Sequence, residues 1–252
     1  MPYQRTQLPR KSWNRAPTNA ARDGHAAASD LCVRGASPAD FTPAERRVIA
    51  RCRTPRDVQA WLNSLPYNTE PGGPTQRSFR EVVRLGTAHC LEAALSAAVI
   101  LEQHGYPPRV LSFESFDGLD HVIYVYQRHG LWGSIARSRD PGLHGRKPVF
   151  RTARALALSY VDPYVDYTGH VTAYAVVDLL TLMGRYDWRF SRRNLWKVEQ
   201  ALIDYPHRKI RTSAARIKRL RKKYRAFRAR YQKKPLYYAR RDRWTPLPEG
   251  EW

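Results

Sequence analysis

Cys90 has the surroundings a nucleophilic thiol needs. It stands in Thr87-Ala88-His89-Cys90-Leu91-Glu92-Ala93-Ala94, at the head of a largely apolar stretch that ends at Gly105 before Pro107 and Pro108. A thiol in the first turn of a helix faces backbone N–H groups without intrahelical partners and the positive end of the helix dipole. Both favour thiolate, and thiolate is the nucleophile. Further along, Asp120-His121-Val122-Ile123-Tyr124-Val125-Tyr126 places a histidine at the start of a strand-like run. A cysteine on a helix start and a histidine on a neighbouring strand are the two halves of a Cys–His pair. In such a pair Cys90 attacks an acyl carbon, and His121 takes the thiol proton and returns it to the leaving group.

The elements that must position this pair can be read from period and caps. Thr42-Pro43 and Thr54-Pro55 each start a short helix, and Val58, Trp61, Leu62 and Leu65 share one helical face. Ser78 and Glu81 form a capping box, which predicts a helix over Phe79–Leu85. The helix from Cys90 to His104 carries the small residues Ala93, Ala94, Ala97 and Ala98, and Gly105 closes it. The period then changes to two, with strands expected over Arg109–Phe113, His121–Tyr126 and Leu131–Ile135. Gln127 to Gly130 reads as a hairpin turn between the last two. Helices are expected again over Ala153–Tyr160, Val171–Met183 and Asn194–Ile203. The fold class is α+β: a thiol-bearing helix on a small antiparallel sheet, with helical extensions on both sides.

The register of these residues resembles the transglutaminase-like superfamily of papain-type thiol enzymes. Cys90, Ala94, Ala98, Gly105, Tyr106, Pro107, Pro108 and Arg109 take the places of that family's helix-start Cys, its alanines and its Gly-hydrophobic-Pro-x-Arg ending. His121 to Tyr126, followed by Gly130-Leu131-Trp132, looks like its His-led strand and Gly-x-Trp turn. The likeness covers about Gly86 to Asp140. It implies a Cys–His–Asp site, with Cys90 as nucleophile, His121 as base and a peptide or protein as substrate. The sequence holds no cofactor motif, and no metal is expected. The family's Asp follows the Trp by about four residues, and that position here is Ala136. Asp140 is the nearest carboxylate beyond it, with Ser134, Ser138 and Asp120 as other polar candidates for orienting His121. His89 is expected to project from another side of the chain, as Cys90's sequence neighbour. His104, His129, His144, His170 and His207 show no metal-ligand spacing.

Charge and cysteine usage bound the rest. The 252 residues carry a formal charge of +22, which favours association with polyanions. Three cysteines, Cys32, Cys52 and Cys90, fit neither a disulfide framework nor a zinc ribbon. Met1 to Arg5 has no apolar core of a secretory signal, and the apolar run Leu91–Leu101 is too short to span a bilayer, so a cytoplasmic location is expected. Residues 1–40, rich in Arg, Pro and Ala, read as a disordered basic arm ahead of a domain over 41–207. Residues 208–234 hold fourteen cations and no acid. Ile217, Leu220, Tyr224, Phe227 and Tyr231 put an apolar stripe on that segment. Residues 208–243 are thus the candidate contact for nucleic acid or another polyanion, with Tyr224, Phe227, Tyr231, Tyr237, Tyr238 and Trp244 available to stack on bases. The function expected first is a thiol acyl-bond enzyme. The alternative is an inactive domain of the same fold that binds polyanions.

Overall fold

Short capped helices lead into the sheet. In the structure, a computed structural model that describes residues 35–118, 120–138 and 140–230, Thr42 and Thr54 cap helices α1 (Pro43–Arg51) and α2 (Pro55–Ser64). In each box the Thr hydroxyl accepts the N–H three residues on, and that residue's carboxylate accepts the Thr N–H. Such a cap is worth about 1 kcal/mol. Of the capping box expected at α3 (Phe79–Leu85) one half forms: the Ser78 hydroxyl accepts the Glu81 N–H, while the Glu81 carboxylate accepts from the Arg84 guanidinium, and Gly86 leaves the helix at φ 68°. Of the expected basic arm, only residues 35–40 are among those described, and Ser37 there caps a one-turn 3-10 helix (Pro38–Asp40). Cys32 and residues 231–252 also lie outside them.

Helix α4 (Cys90–Glu102) is the centre of the molecule. Every residue from Leu91 to Leu101 is buried, including Glu92. Beside it runs a six-stranded antiparallel sheet in the order β4-β3-β2-β1-β5-β6. Its strands are β1 (Arg109–Ser115), β2 (His121–Arg128), β3 (Leu131–Ile135), β4 (Arg146–Phe150), β5 (Val171–Asp178) and β6 (Arg208–Lys209). The β2–β3 hairpin closes on His129 and Gly130, at φ 50° and 75°, with Arg128 paired to Leu131. Two positive φ values are the signature of a type I′ turn, whose twist matches the strands it joins.

One expected helix is a strand. Val171 to Asp178 forms β5 between β1 and β6, and only Leu179–Met183 is helical (α7). Consecutive apolar residues fit a strand with both faces covered as well as a buried helix, and β-branched Val171, Thr172, Val176 and Val177 favour the strand. β4 carries no clear strand pattern in the sequence, because Arg146 and Lys147 interrupt it. The helix expected over Asn194–Ile203 is α8 (Trp196–Asp204), and that expected over Ala153–Tyr160 is α5 (Ala153–Leu158), followed by α6 (Val161–Tyr164).

Both faces of the sheet are covered. Val122, Tyr124 and Tyr126 pack with α4, the N-terminal helices and α8. Phe113, Ile123 and Val125 pack with Leu156, Ala157, Tyr160 and Val161 on the other face. The fold continues past residue 207: β6 pairs with β5, and α9 (Ala214–Arg230) buries Ile217, Leu220, Tyr224 and Phe227 against Val165. Among the described residues no helix is long and apolar enough to cross a membrane.

Candidate active site

The first turn of α4 is built around a buried carboxylate. Glu92, at the third helical position, accepts the His89 N–H at 3.0 Å and closes the helix start from inside. It also accepts from Arg77 N at 3.1 Å, Thr75 Oγ1 at 2.9 Å and Asn68 Nδ2 at 3.0 and 3.2 Å. Two chain segments, 66–68 and 75–77, are thereby tied to the thiol helix. The first is further held by Asn68 N–H donating to the Ala88 carbonyl at 3.1 Å. Cys90 stands on this support, its residue partly accessible while the surrounding groups are buried.

Two imidazoles meet its sulfur. His121 opens β2, pairs across to Phe113 on β1, and stacks its ring on the Phe113 ring at 12° and 6.2 Å. Tyr160 and Tyr164 wall it at 6.2 and 6.5 Å. His121 Nε2 lies 3.3 Å from the Leu143 carbonyl. A carbonyl only accepts, so the proton of the neutral ring belongs on Nε2 and Nδ1 is the free base. His89 repeats the device: its Nε2 is 2.8 Å from the Thr75 carbonyl and 3.4 Å from Glu92 Oε1. Both rings lie near enough to the Cys90 thiol to bear on its ionisation. Burial alone would raise the thiol pKa, but the proximity and charges of His121 and His89 outweigh it and hold the thiol well below the ordinary cysteine range. Burial pulls His89 the other way as well, and there Cys90, Glu92 and the Thr75 carbonyl win, raising it.

His89 therefore does not project away from the site. A residue preceding a helix is not bound by the helical 100° step. His89 is extended (φ −97°, ψ −172°), which lets its side chain fold back over the first turn, where Cys90 lies. Glu92 was equally unread as a site residue. Its signal was an acid three residues after the helix start in an otherwise apolar run, and the three-residue spacing to His89.

Asp140 stands in the segment that holds His121 from behind. Its Oδ1 accepts the Gly142 N–H at 3.0 Å and its carbonyl accepts the Leu143 N–H, shaping the 3-10 turn Pro141–Leu143. That turn presents the Leu143 carbonyl to His121. Arg146, fully buried, clamps the same loop: its guanidinium donates to the carbonyls of Gly142 and His144 at 2.6 Å and lies over the Tyr160 ring at 4.2 Å. Gly145 admits no side chain, since a Cβ there would come within 2.2 Å of Gln59 Oε1. Ser138 Oγ accepts the Asp140 N–H, Ser134 Oγ contacts the Tyr160 hydroxyl, and Asp120 Oδ1 accepts the Ser115 N–H. Ala136, where the resembling family has its Asp, is held through its backbone by the Gln59 amide, N–H to Oε1 at 3.0 Å and carbonyl to Nε2 at 2.9 Å.

No protein-family model matches the sequence, and no curated protein matches it either.

The remaining titratable groups contrast with Cys90. His144, pushed down to about 4 chiefly by burial and by the charges of Arg137, Arg146 and His121, stays neutral beside the site. Cys52 is 1% exposed and burial raises its thiol, so it lacks thiolate. Among the described residues no group of three His, Cys, Asp or Glu side chains converges as a metal site.

Proposed function

We propose that the protein is a transglutaminase-like thiol enzyme acting on an amide or related acyl bond through Cys90 and His121. The observation that carries this reading is one partly accessible thiol at a helix start, flanked by two imidazoles whose Nε2 atoms are fixed on carbonyls, and held by them below the ordinary cysteine range. Such a constellation is costly for a structural cysteine, which is ordinarily a small buried hydrophobe like Cys52. The roles then follow. Cys90 thiolate attacks the acyl carbon, a C–S bond forms, and the carbonyl π pair moves onto oxygen. The Cys90 backbone N–H, in the unpaired first turn, is placed to hold that oxyanion. His121, which took the thiol proton on Nδ1 as the thiolate formed, donates it to the leaving atom as the C–N or C–O bond breaks, giving a thioester. Water or an amine then attacks, His121 takes its proton, and the thiolate leaves. Whether water or an amine arrives decides hydrolysis against transfer.

His121 rather than His89 is the shuttling base. The Glu92 carboxylate beside His89 Nε2 favours the charged ring, and a ring held charged cannot accept a further proton. His89 supplies a fixed positive charge near the sulfur, and so sustains the thiolate.

The test is acylation of the full chain with p-nitrophenyl acetate, acid quench and peptide mass spectrometry. An acetyl thioester on Cys90 is expected, absent in Cys90→Ala and much slower to form and to discharge in His121→Ala. Absence of acyl-Cys90, or equal rates in His121→Ala, would leave the domain as a binding protein without catalysis.

A further inference from the structure

We propose that the outer face of α9, together with the Phe116–His170 stack beside it, is a binding surface for single-stranded nucleic acid. This does not depend on the thiol chemistry.

The apolar stripe of α9 is already occupied. Ile217, Leu220, Tyr224 and Phe227 are each 5–6% exposed against Val165, and Arg216 is fixed to Asp162 at 2.8 Å. Tyr224 and Phe227, expected from sequence to stack on bases, are therefore turned into the protein. A lipid surface needs an apolar face to insert, and this helix has none left. What α9 offers outward is charge. Exposed Lys218, Lys222 and Arg225 follow one another at four- and three-residue spacing and so share a helix face. They line a groove with Thr212, Arg221 and His170.

The groove ends on exposed rings. Phe116 is 69% exposed and stacks on His170 with centroids 5.0 Å apart and 20° between planes. His170 Nδ1 in turn accepts from Arg221 Nη2 at 3.3 Å, and Arg221 also donates to the Thr168 carbonyl, so the platform is locked to the basic helix. Tyr167, 49% exposed, stands edge-on to Tyr224 nearby. The acids of this region are engaged: Asp117 accepts from Ser115 and Thr168, Asp166 from the Thr168 and Gly169 N–H groups, and Asp162 pairs with Arg216. A cationic groove leading to an open aromatic face suits a backbone of phosphates with unstacked bases. A duplex hides its base faces and gains nothing from Phe116. The platform also adjoins the thiol site along the chain, because Phe116 directly follows β1, whose Phe113 stacks on His121.

The experiment is fluorescence anisotropy of the full chain with a labelled oligothymidylate, a hairpin duplex and phosphatidylserine vesicles, over a salt series. Binding of the single strand should weaken steeply with salt. Replacing Lys218, Lys222 and Arg225 with alanine should lower the log–log salt slope by about 2, at about 0.7 per released counterion. Phe116→Ala should weaken the single strand about tenfold and leave the duplex unchanged, while Phe116→Tyr, which keeps the ring, retains affinity. Melting curves of each variant confirm that these exposed positions leave the fold intact. An unchanged slope in the triple variant, a Phe116→Ala with undiminished affinity, or vesicles bound more tightly than the strand would each overturn the proposal.

Discussion

Glu92→Gln is the most informative single change in the molecule, because it swaps one atom at the point where three chain segments meet. Four donor groups converge on the carboxylate: His89 N–H, Arg77 N–H, Thr75 Oγ1 and Asn68 Nδ2, all between 2.9 and 3.2 Å. A glutamine keeps the shape but replaces one accepting oxygen with an NH2 group. The Thr75 hydroxyl can turn and accept from it; a backbone N–H or the Asn68 amide N–H cannot. About two charge-assisted bonds are lost, each worth roughly 1.5 kcal/mol or more, so a destabilisation of about 3 kcal/mol is expected. For a domain near 200 residues this lowers the melting temperature by roughly 6–12 °C. Glu92→Ala should cost more, on the order of 3–5 kcal/mol, because every donor is then left buried without a partner. Calorimetry measures the first consequence. The second is chemical: with His89 no longer held, alkylation of Cys90 by iodoacetamide at pH 6 should slow. A Glu92→Gln protein that melts within about 2 °C of the parent and reacts as fast would refute the claim that this carboxylate organises the thiol.

Three further outcomes are expected. Because the Cys90 thiol is held below its ordinary range, thiolate persists as pH falls, so its alkylation rate should stay nearly flat from pH 8 to pH 6. An ordinary thiol would lose about tenfold per unit there, and His121→Ala and His89→Ala should each move the profile toward that behaviour. Cys52, buried and with its thiol raised, should remain unlabelled until denaturant is added, which peptide mapping resolves site by site. Asp140→Ala should slow Cys90 acylation severalfold by loosening the turn that offers the Leu143 carbonyl. Asp140→Asn should keep most of the rate, since its side-chain oxygen still accepts the Gly142 N–H; equal losses in both would mean that the charge of Asp140 acts on His121 itself.

What the chain discloses in advance is local. The threonine caps at Thr42 and Thr54, the Cys90 helix and the β2–β3 hairpin follow from residue types a few positions apart and appear where expected, while the Ser78 box closes on one side only. Val171–Asp178 could not be decided that way. Its strand pairing comes from lying beside β1, and apolar periodicity alone does not distinguish burial on two faces of a sheet from burial all round a helix; only the β-branched residues lean toward the strand. The same holds at the site. His89 stands just outside the helix in extended backbone, where helical geometry does not set the direction of its side chain. The Leu143 carbonyl was unreadable because a backbone acceptor leaves no residue-type signature. Arg146 looked like part of the general excess of cations, and only its burial over Tyr160 shows it as an internal clamp.

The placement of β5 has a consequence for how the protein is made. Strand β1 takes β2 on one side from the next stretch of chain, but its other neighbour is β5, so that Ser112 must wait for Ala175. Ala175 and Val177 also belong to the core in which α4 is buried. Contacts this distant in sequence form late, since the intervening loop must first be closed. A nascent chain that has emerged only as far as His121 thus carries the thiol and both imidazoles without the frame that brings them together. The frame around Cys90 is complete only when residues 171–178 have joined the sheet.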